Sequence, residues 1–205
     1  MPIFKLKLKL PLPCKLCHST IAVMPQQLCQ DCWQQLPWFN QSIQYEHFQL
    51  YVACWYQYPI NRLIQQFKYE QQLHWLPVLS ELLLTLKIIK IQAIVAMPVS
   101  EQRLTDRGYN QALLLAQVLS KQLQVPIWQP ISRKNEHSQK GLSGAERRQN
   151  IEQQFYVTQK TKQRFRRVLM VDDVITTGSS LDALAKQLKL LGCQEIFAAC
   201  IAIAK

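Results

Sequence analysis

The stretch that decides the reading of this 205-residue chain is Val168-Leu169-Met170-Val171-Asp172-Asp173-Val174-Ile175-Thr176-Thr177-Gly178-Ser179-Ser180. Four apolar residues form a buried-strand pattern and deliver two adjacent carboxylates. A hydroxyl- and glycine-rich turn follows, and then helical spacing to Leu191. Paired acids at a strand end can accept hydrogen bonds from vicinal sugar hydroxyls. The turn offers backbone N–H groups, hydroxyls and the partial positive charge of a helix start, which together suit a phosphate. Helix capping by Thr or Ser would explain a lone Thr-Thr-Gly turn equally well. The strand and the acidic pair in front of it tip the reading toward a sugar phosphate.

Working outward, strands and helices alternate. Strand patterns fall at Phe48–Tyr58, Ala93–Met97, Val125–Ile131, Phe155–Val157, Arg167–Val171 and Glu195–Ala204. Helical spacing runs from Leu63 to Leu86 with a break near Pro77, from Tyr109 to Leu123, over Ala145–Asn150, and from Ser179 to Leu191. Alternation of this kind predicts an α/β fold: a mostly parallel sheet with helices on both faces, ligands binding outside the carboxyl ends of the strands. Cys54, Cys193 and Cys200 sit in apolar contexts and read as core residues.

The N-terminal region is organised differently. Cys14-x2-Cys17 and Cys29-x2-Cys32 are separated by eleven residues, the spacing of two knuckles around one tetrahedral metal. Four thiolates leave no open coordination position, so the expected ion is a structural Zn²⁺. Two disulfides would use the same residues, but nothing here resembles a secretory leader. His18 reads as a bystander beside Cys17. Trp33 to Gln44 reads as a linker, giving a metal module over 1–45 and an α/β domain over 46–205.

The chain is 48% hydrophobic and has no apolar run near the roughly 20 residues that span a bilayer. A soluble cytoplasmic protein is the expectation. Net charge is +11, and residues 133–167 alone hold ten Lys and Arg against three Glu. Such a block suits a polyanion or a solvated face. Its Arg133, Lys134, Lys140, Arg147, Arg148, Arg166 and Arg167 are the candidate nucleic-acid contacts. Trp33, Trp38 and Phe39 could stack bases or serve the core.

Val168–Ser180 resembles the signature of type I phosphoribosyltransferases, which bind phosphoribosyl pyrophosphate (PRPP). Three more stretches are similar to the competence protein F (ComF/GntX) branch of that superfamily: Tyr58–Ile64 with Lys68-Tyr69; Met97-Pro98-Val99 with Arg103 and Arg107–Ala112; and Gln139–Ser143 with Glu146-Arg147-Arg148 and Asn150. Where relatives commonly carry Thr-Pro-Ser-Gln, this chain has Glu136-His137-Ser138-Gln139. The resemblance implies that Asp172 and Asp173 meet the ribose hydroxyls as the catalytic pair, and that Thr176, Thr177, Gly178, Ser179 and Ser180 hold the 5′-phosphate. Ser100 to Arg103 would take the pyrophosphate, Arg107 to Asn110 would begin the helix behind it, and 133–150 would form a mobile loop over the site. Mg²⁺ would accompany PRPP. The implied role is in natural transformation, handling imported single-stranded DNA in the cytosol. An active phosphoribosyltransferase on an unidentified acceptor is the alternative. An adaptor for a DNA-uptake helicase or other competence proteins is a third reading.

Overall fold

A computed structural model describes residues 12–19, 21–22, 27–134, 153–158 and 163–204. The basic positions Lys140, Arg147 and Arg148 and the expected helix over Ala145–Asn150 lie outside them.

Five strands form the main sheet in the order β1 (Trp38–Gln44), β2 (Gln49–Trp55), β7 (Glu195–Ile203), β6 (Arg167–Ile175), β3 (Ala93–Ala96). Only the β1–β2 hairpin is antiparallel; β2, β7, β6 and β3 run parallel. Ile196 to Ala202 and Val168 to Val171 are buried at every position, so both faces are covered. That is why these strands read as continuous apolar runs without alternation. Helices α2 (Ile60–Tyr69), α3 (Leu76–Leu84), α4 (Glu101–Arg107), α5 (Gln111–Leu123) and α6 (Ser179–Leu190) complete the layers, with α3 and α5 packed on each other and on the sheet. The short strands β4 (Ile131–Arg133) and β5 (Phe155–Val157) pair apart from it. No helix among the described residues is long and apolar enough to cross a membrane. Cys54, Cys193 and Cys200 are buried as expected, and burial pushes the Cys54 thiol up to about 12 and that of Cys193 to about 11.

Three expectations are corrected. The Trp33–Gln44 linker is instead the end of a short helix, α1 (Gln30–Gln34), followed by the edge strand β1. Its polar composition concealed it, because an edge strand keeps one side in water. A bulge between Trp38 and Gln41, with Asn40 at φ +42°, further blurs the alternation. The strand expected over Val125–Ile131 is not continuous: Ile127 makes an isolated bridge to Ile94, and Ile131 opens β4. Pro126 and Pro130 lack the N–H a ladder needs. Finally, the helix expected from Tyr109 starts at Gln111, because Gly108 at φ +80° ends α4 and the Asn110 side chain caps α5 by accepting from the Leu113 N–H.

Candidate functional site

The acidic pair is built into β6, which continues to Ile175 beside β7. On its other side β3 stops at Ala96, opposite Val171, with one last hydrogen bond from the Met97 N–H to the Val171 carbonyl. Asp172 and Asp173 therefore stand on a ledge where the sheet loses a strand. They open on a cavity of about 240 Å³ also lined by Lys68, Tyr69, Arg103, Arg107 and Arg133.

Side chains alternate on a strand, so the two carboxyls differ in surroundings. Asp173 is 3% exposed; its Oδ1 accepts from Lys68 Nζ at 2.7 Å and from the Val174 N–H at 2.7 Å, while its buried Oδ2 has no partner among the described residues. Half-buried Asp172 caps the Asp173 N–H at 2.9 Å. Burial first, and then the Asp173 charge, push its carboxyl up to about 7 against the opposing pull of Lys68. Burial alone would push Lys68 down, but Asp173 and Asp172 outweigh it and hold the ammonium above its ordinary value. Below Asp172, at the paired position in β7, the Cys200 thiol is raised by burial and then by both aspartates. One ammonium against two carboxylates leaves a local surplus of acceptors, which suits a ligand rich in hydroxyl donors.

The turn after β6 forms a second, smaller cavity of about 70 Å³, lined by Asp172 and by Val174 through Leu181. Gly178 at φ +80° is the N-cap of α6, so the cap has no side chain to engage the first-turn amides. Thr177 and Ser179 hydroxyls meet at 2.9 Å. Glycine is required twice over here: a Cβ at 178 would sit 2.8 Å from Tyr45 Cε1 and in a backbone region that L residues rarely adopt. Tyr45, stacked on Phe48, is thus the wall against which the turn is formed.

Of the other expected site residues, Arg103 lines the large cavity, while Ser100 is 2% exposed and spends its hydroxyl capping α4 through the Arg103 N–H at 3.4 Å. The described residues of the basic block are divided. Arg133 lines the cavity, held by Gln154 at 3.0 Å and lying over the Phe155 ring; Lys134 lies over Tyr156. Arg166 and Arg167 are at the opposite end of β6, about 17 Å down the strand from Asp172. There Arg167 pairs with Glu195 at 2.7 Å. Lys68 and Tyr45 are the residues whose contribution was not read from the sequence. Lys68 had a signal: Ile60, Ile64 and Lys68 are spaced i, i+4, i+8 on the buried face of α2, and a lysine on an apolar stripe needs a carboxylate partner. Tyr45 had none, being 133 positions from the glycine it meets.

At the N-terminus Cys14, Cys17, Cys29 and Cys32 gather with all four sulfurs within 4.8 Å of one another, a group that could hold a metal ion. Cys17 and Cys29 sulfurs are 3.8 Å apart, about the edge of a tetrahedron with 2.3 Å metal–sulfur bonds. The Cys32 N–H donates to Cys29 Sγ at 3.4 Å, so the sulfur caps α1. Burial, and then the other three sulfurs, raise the Cys32 thiol strongly, a crowding that a cation relieves. His18 is exposed and outside the cluster.

Residues 110–205 match the phosphoribosyl transferase domain. Over 195 residues the chain is 36% identical to Competence protein F of Haemophilus influenzae, covering 89% of this chain and 81% of that one. The chain belongs to the competence protein F family. It is also 30% identical to the DNA utilization protein YhgH of Escherichia coli K12 over 70% of this chain and 66% of that one. Among solved structures, a purine phosphoribosyltransferase from Pyrococcus horikoshii is 22% identical with a TM-score of 0.34, covering 75% of this chain and 77% of that one. The family's four-cysteine module and type I phosphoribosyltransferase fold are both present here.

Proposed function

We propose that this chain binds PRPP with its Mg²⁺ in the cavity at the end of β6, and that the bound protein handles imported single-stranded DNA in the cytosol during natural transformation. The observation that carries the first part is the buried Oδ2 of Asp173, unpartnered among the described residues, beside half-buried Asp172, on a cavity that shares Asp172, Val174 and Ser180 with the cavity of the Gly178 turn. In this reading Asp172 and Asp173 accept from the ribose hydroxyls. Thr176 to Ser180 and the first amides of α6 hold the 5′-phosphate. Arg103, Arg107 and Arg133 meet the pyrophosphate and the Mg²⁺ it carries. Ser100 acts through α4, whose start it caps. The second part draws on the relatives, one named a competence protein and another a DNA utilization protein. The basic residues of 133–167 supply phosphate contacts. Zn²⁺ in the four-cysteine cluster is structural, and the metal module is the surface offered to a helicase or another competence protein.

Calorimetry with PRPP·Mg²⁺ tests the ligand: the intact chain binds, and the double variant Asp172→Asn/Asp173→Asn does not. Equal binding by both would sink the assignment. Catalysis is the second reading, favoured by three guanidinium groups around the cavity that would neutralise a departing pyrophosphate. Pyrophosphate release with a panel of nitrogen nucleophiles decides it; tight binding without turnover makes the site a sensor.

A further inference from the structure

Arg107-Gly108-Tyr109-Asn110-Gln111 and Lys68-Tyr69 are distinctive in sequence, yet they lie beyond the carboxylates and the phosphate turn. In the structure they form one device. Helix α2 ends at Tyr69, and its last carbonyls need donors from outside the helix. The Tyr109 hydroxyl donates to the Phe67 carbonyl, and the Gln111 side-chain amide donates to the Lys68 carbonyl at 3.5 Å. Gln111 is 3% exposed and in turn accepts from Arg107 Nη1 at 3.3 Å, while the Arg107 guanidinium lies 5.0 Å over the Tyr69 ring. Asn110 donates to the Met97 carbonyl at 3.0 Å, tying the same turn to the end of β3. The turn before α5 thus sets where the end of α2 stands relative to the ledge of the sheet.

What this end presents is Lys68. Its ammonium meets one oxygen of Asp173, at 2.7 Å, and the other, buried oxygen of this cavity-lining residue has no hydrogen-bond partner among the described residues. A bidentate or centred contact would have consumed both. Building on the PRPP reading, we propose that Lys68 is a positioning residue: it holds one oxygen of Asp173 so that the other is kept for a sugar hydroxyl, and the Arg107–Gln111 turn aims it. The other ionisable groups around this carboxylate are Asp172 on its own strand, Cys200 from β7, Tyr69 at the end of α2, Arg103 from α4, Arg107 and Arg133. Among the described residues, Lys68 is the cation that bonds it directly.

The test is calorimetry of PRPP·Mg²⁺ with the full chain at pH 7, in two buffers of different ionisation enthalpy, for wild type, Lys68→Met and Lys68→Arg. Removing the ammonium takes away the pull that lowers the Asp172 carboxyl, so that neighbour carries more proton for the ligand to displace. Lys68→Met is expected to bind about ten- to a hundredfold more weakly and to release more protons on binding than wild type. Lys68→Arg restores most of the affinity and the wild-type proton count. A Lys68→Met chain with wild-type affinity and proton balance overturns the inference. If its melting curve shows that it does not fold, Tyr109→Phe carries the test: a severalfold loss supports the aiming role and unchanged affinity overturns it. Failure of wild type to bind PRPP overturns the underlying ligand reading instead.

Discussion

At the scale of single residues, Gly178 and Asp172 carry the sharpest expectations. Gly178→Ala meets both a positive φ and the Tyr45 ring, so it should cost about 1–3 kcal/mol and abolish phosphate binding by opening the turn. The double variant Gly178→Ala/Tyr45→Ala removes the clash but not the strain and should recover stability only in part; thermal melts separate the two contributions. Asp172 has a raised pKa, so the folded chain binds more protons than the unfolded one between the ordinary aspartate range and about 7. Its contribution therefore makes ligand-free stability fall as pH rises through that window. Melts at pH 5 and pH 8 should show this decline, and Asp172→Asn should flatten it, raising Tm at pH 8 by about 4 °C while weakening PRPP binding. A profile that Asp172→Asn leaves unchanged would show the carboxyl to be ionised without cost.

The elements tell a similar story of local patterns completed by partners. Helix α2 was legible as an amphipathic helix, but the use of its buried lysine depended on a strand more than a hundred residues later. The metal module is the strongest case. Cys14, Leu28 and Cys29 are buried in the same core as the sheet, and Lys15 Nζ reaches the His74 carbonyl at 2.7 Å. Metal loss should therefore destabilise more than residues 12–36. Metal analysis is expected to find one Zn²⁺ per chain. Cys32→Ser should lose it and lower the Tm of the entire protein; a sheet that melts unchanged would mean the module is an independent appendage.

Over the molecule as a whole, charge is distributed in a way that no count along the sequence shows. Arg133 faces the acidic pair, whereas Arg166 and Arg167 stand at the far end of β6. Charge reversal at Arg166 and Arg167 is expected to weaken single-stranded DNA binding and lower its salt slope while leaving PRPP affinity intact. Arg133→Glu is expected to weaken both. If the three variants behave alike, DNA and PRPP share one surface.

The sequence by itself determined the α/β class, the four-cysteine cluster and the order of acidic pair and glycine turn in residues 172–180. Each of these is a local pattern: apolar runs where both sheet faces are buried, fixed Cys spacing, and a strand feeding a helix start. Tertiary structure alone decided that Lys68 completes the acidic pair, that Tyr45 closes on Gly178, and that Arg133 lines the cavity while Arg166 and Arg167 stand at the far end of β6. It also revealed the polar edge strand β1, whose amphipathic signal was too weak to read. These features arise from contacts between distant segments, and their energies depend on burial and proximity that residue order does not encode.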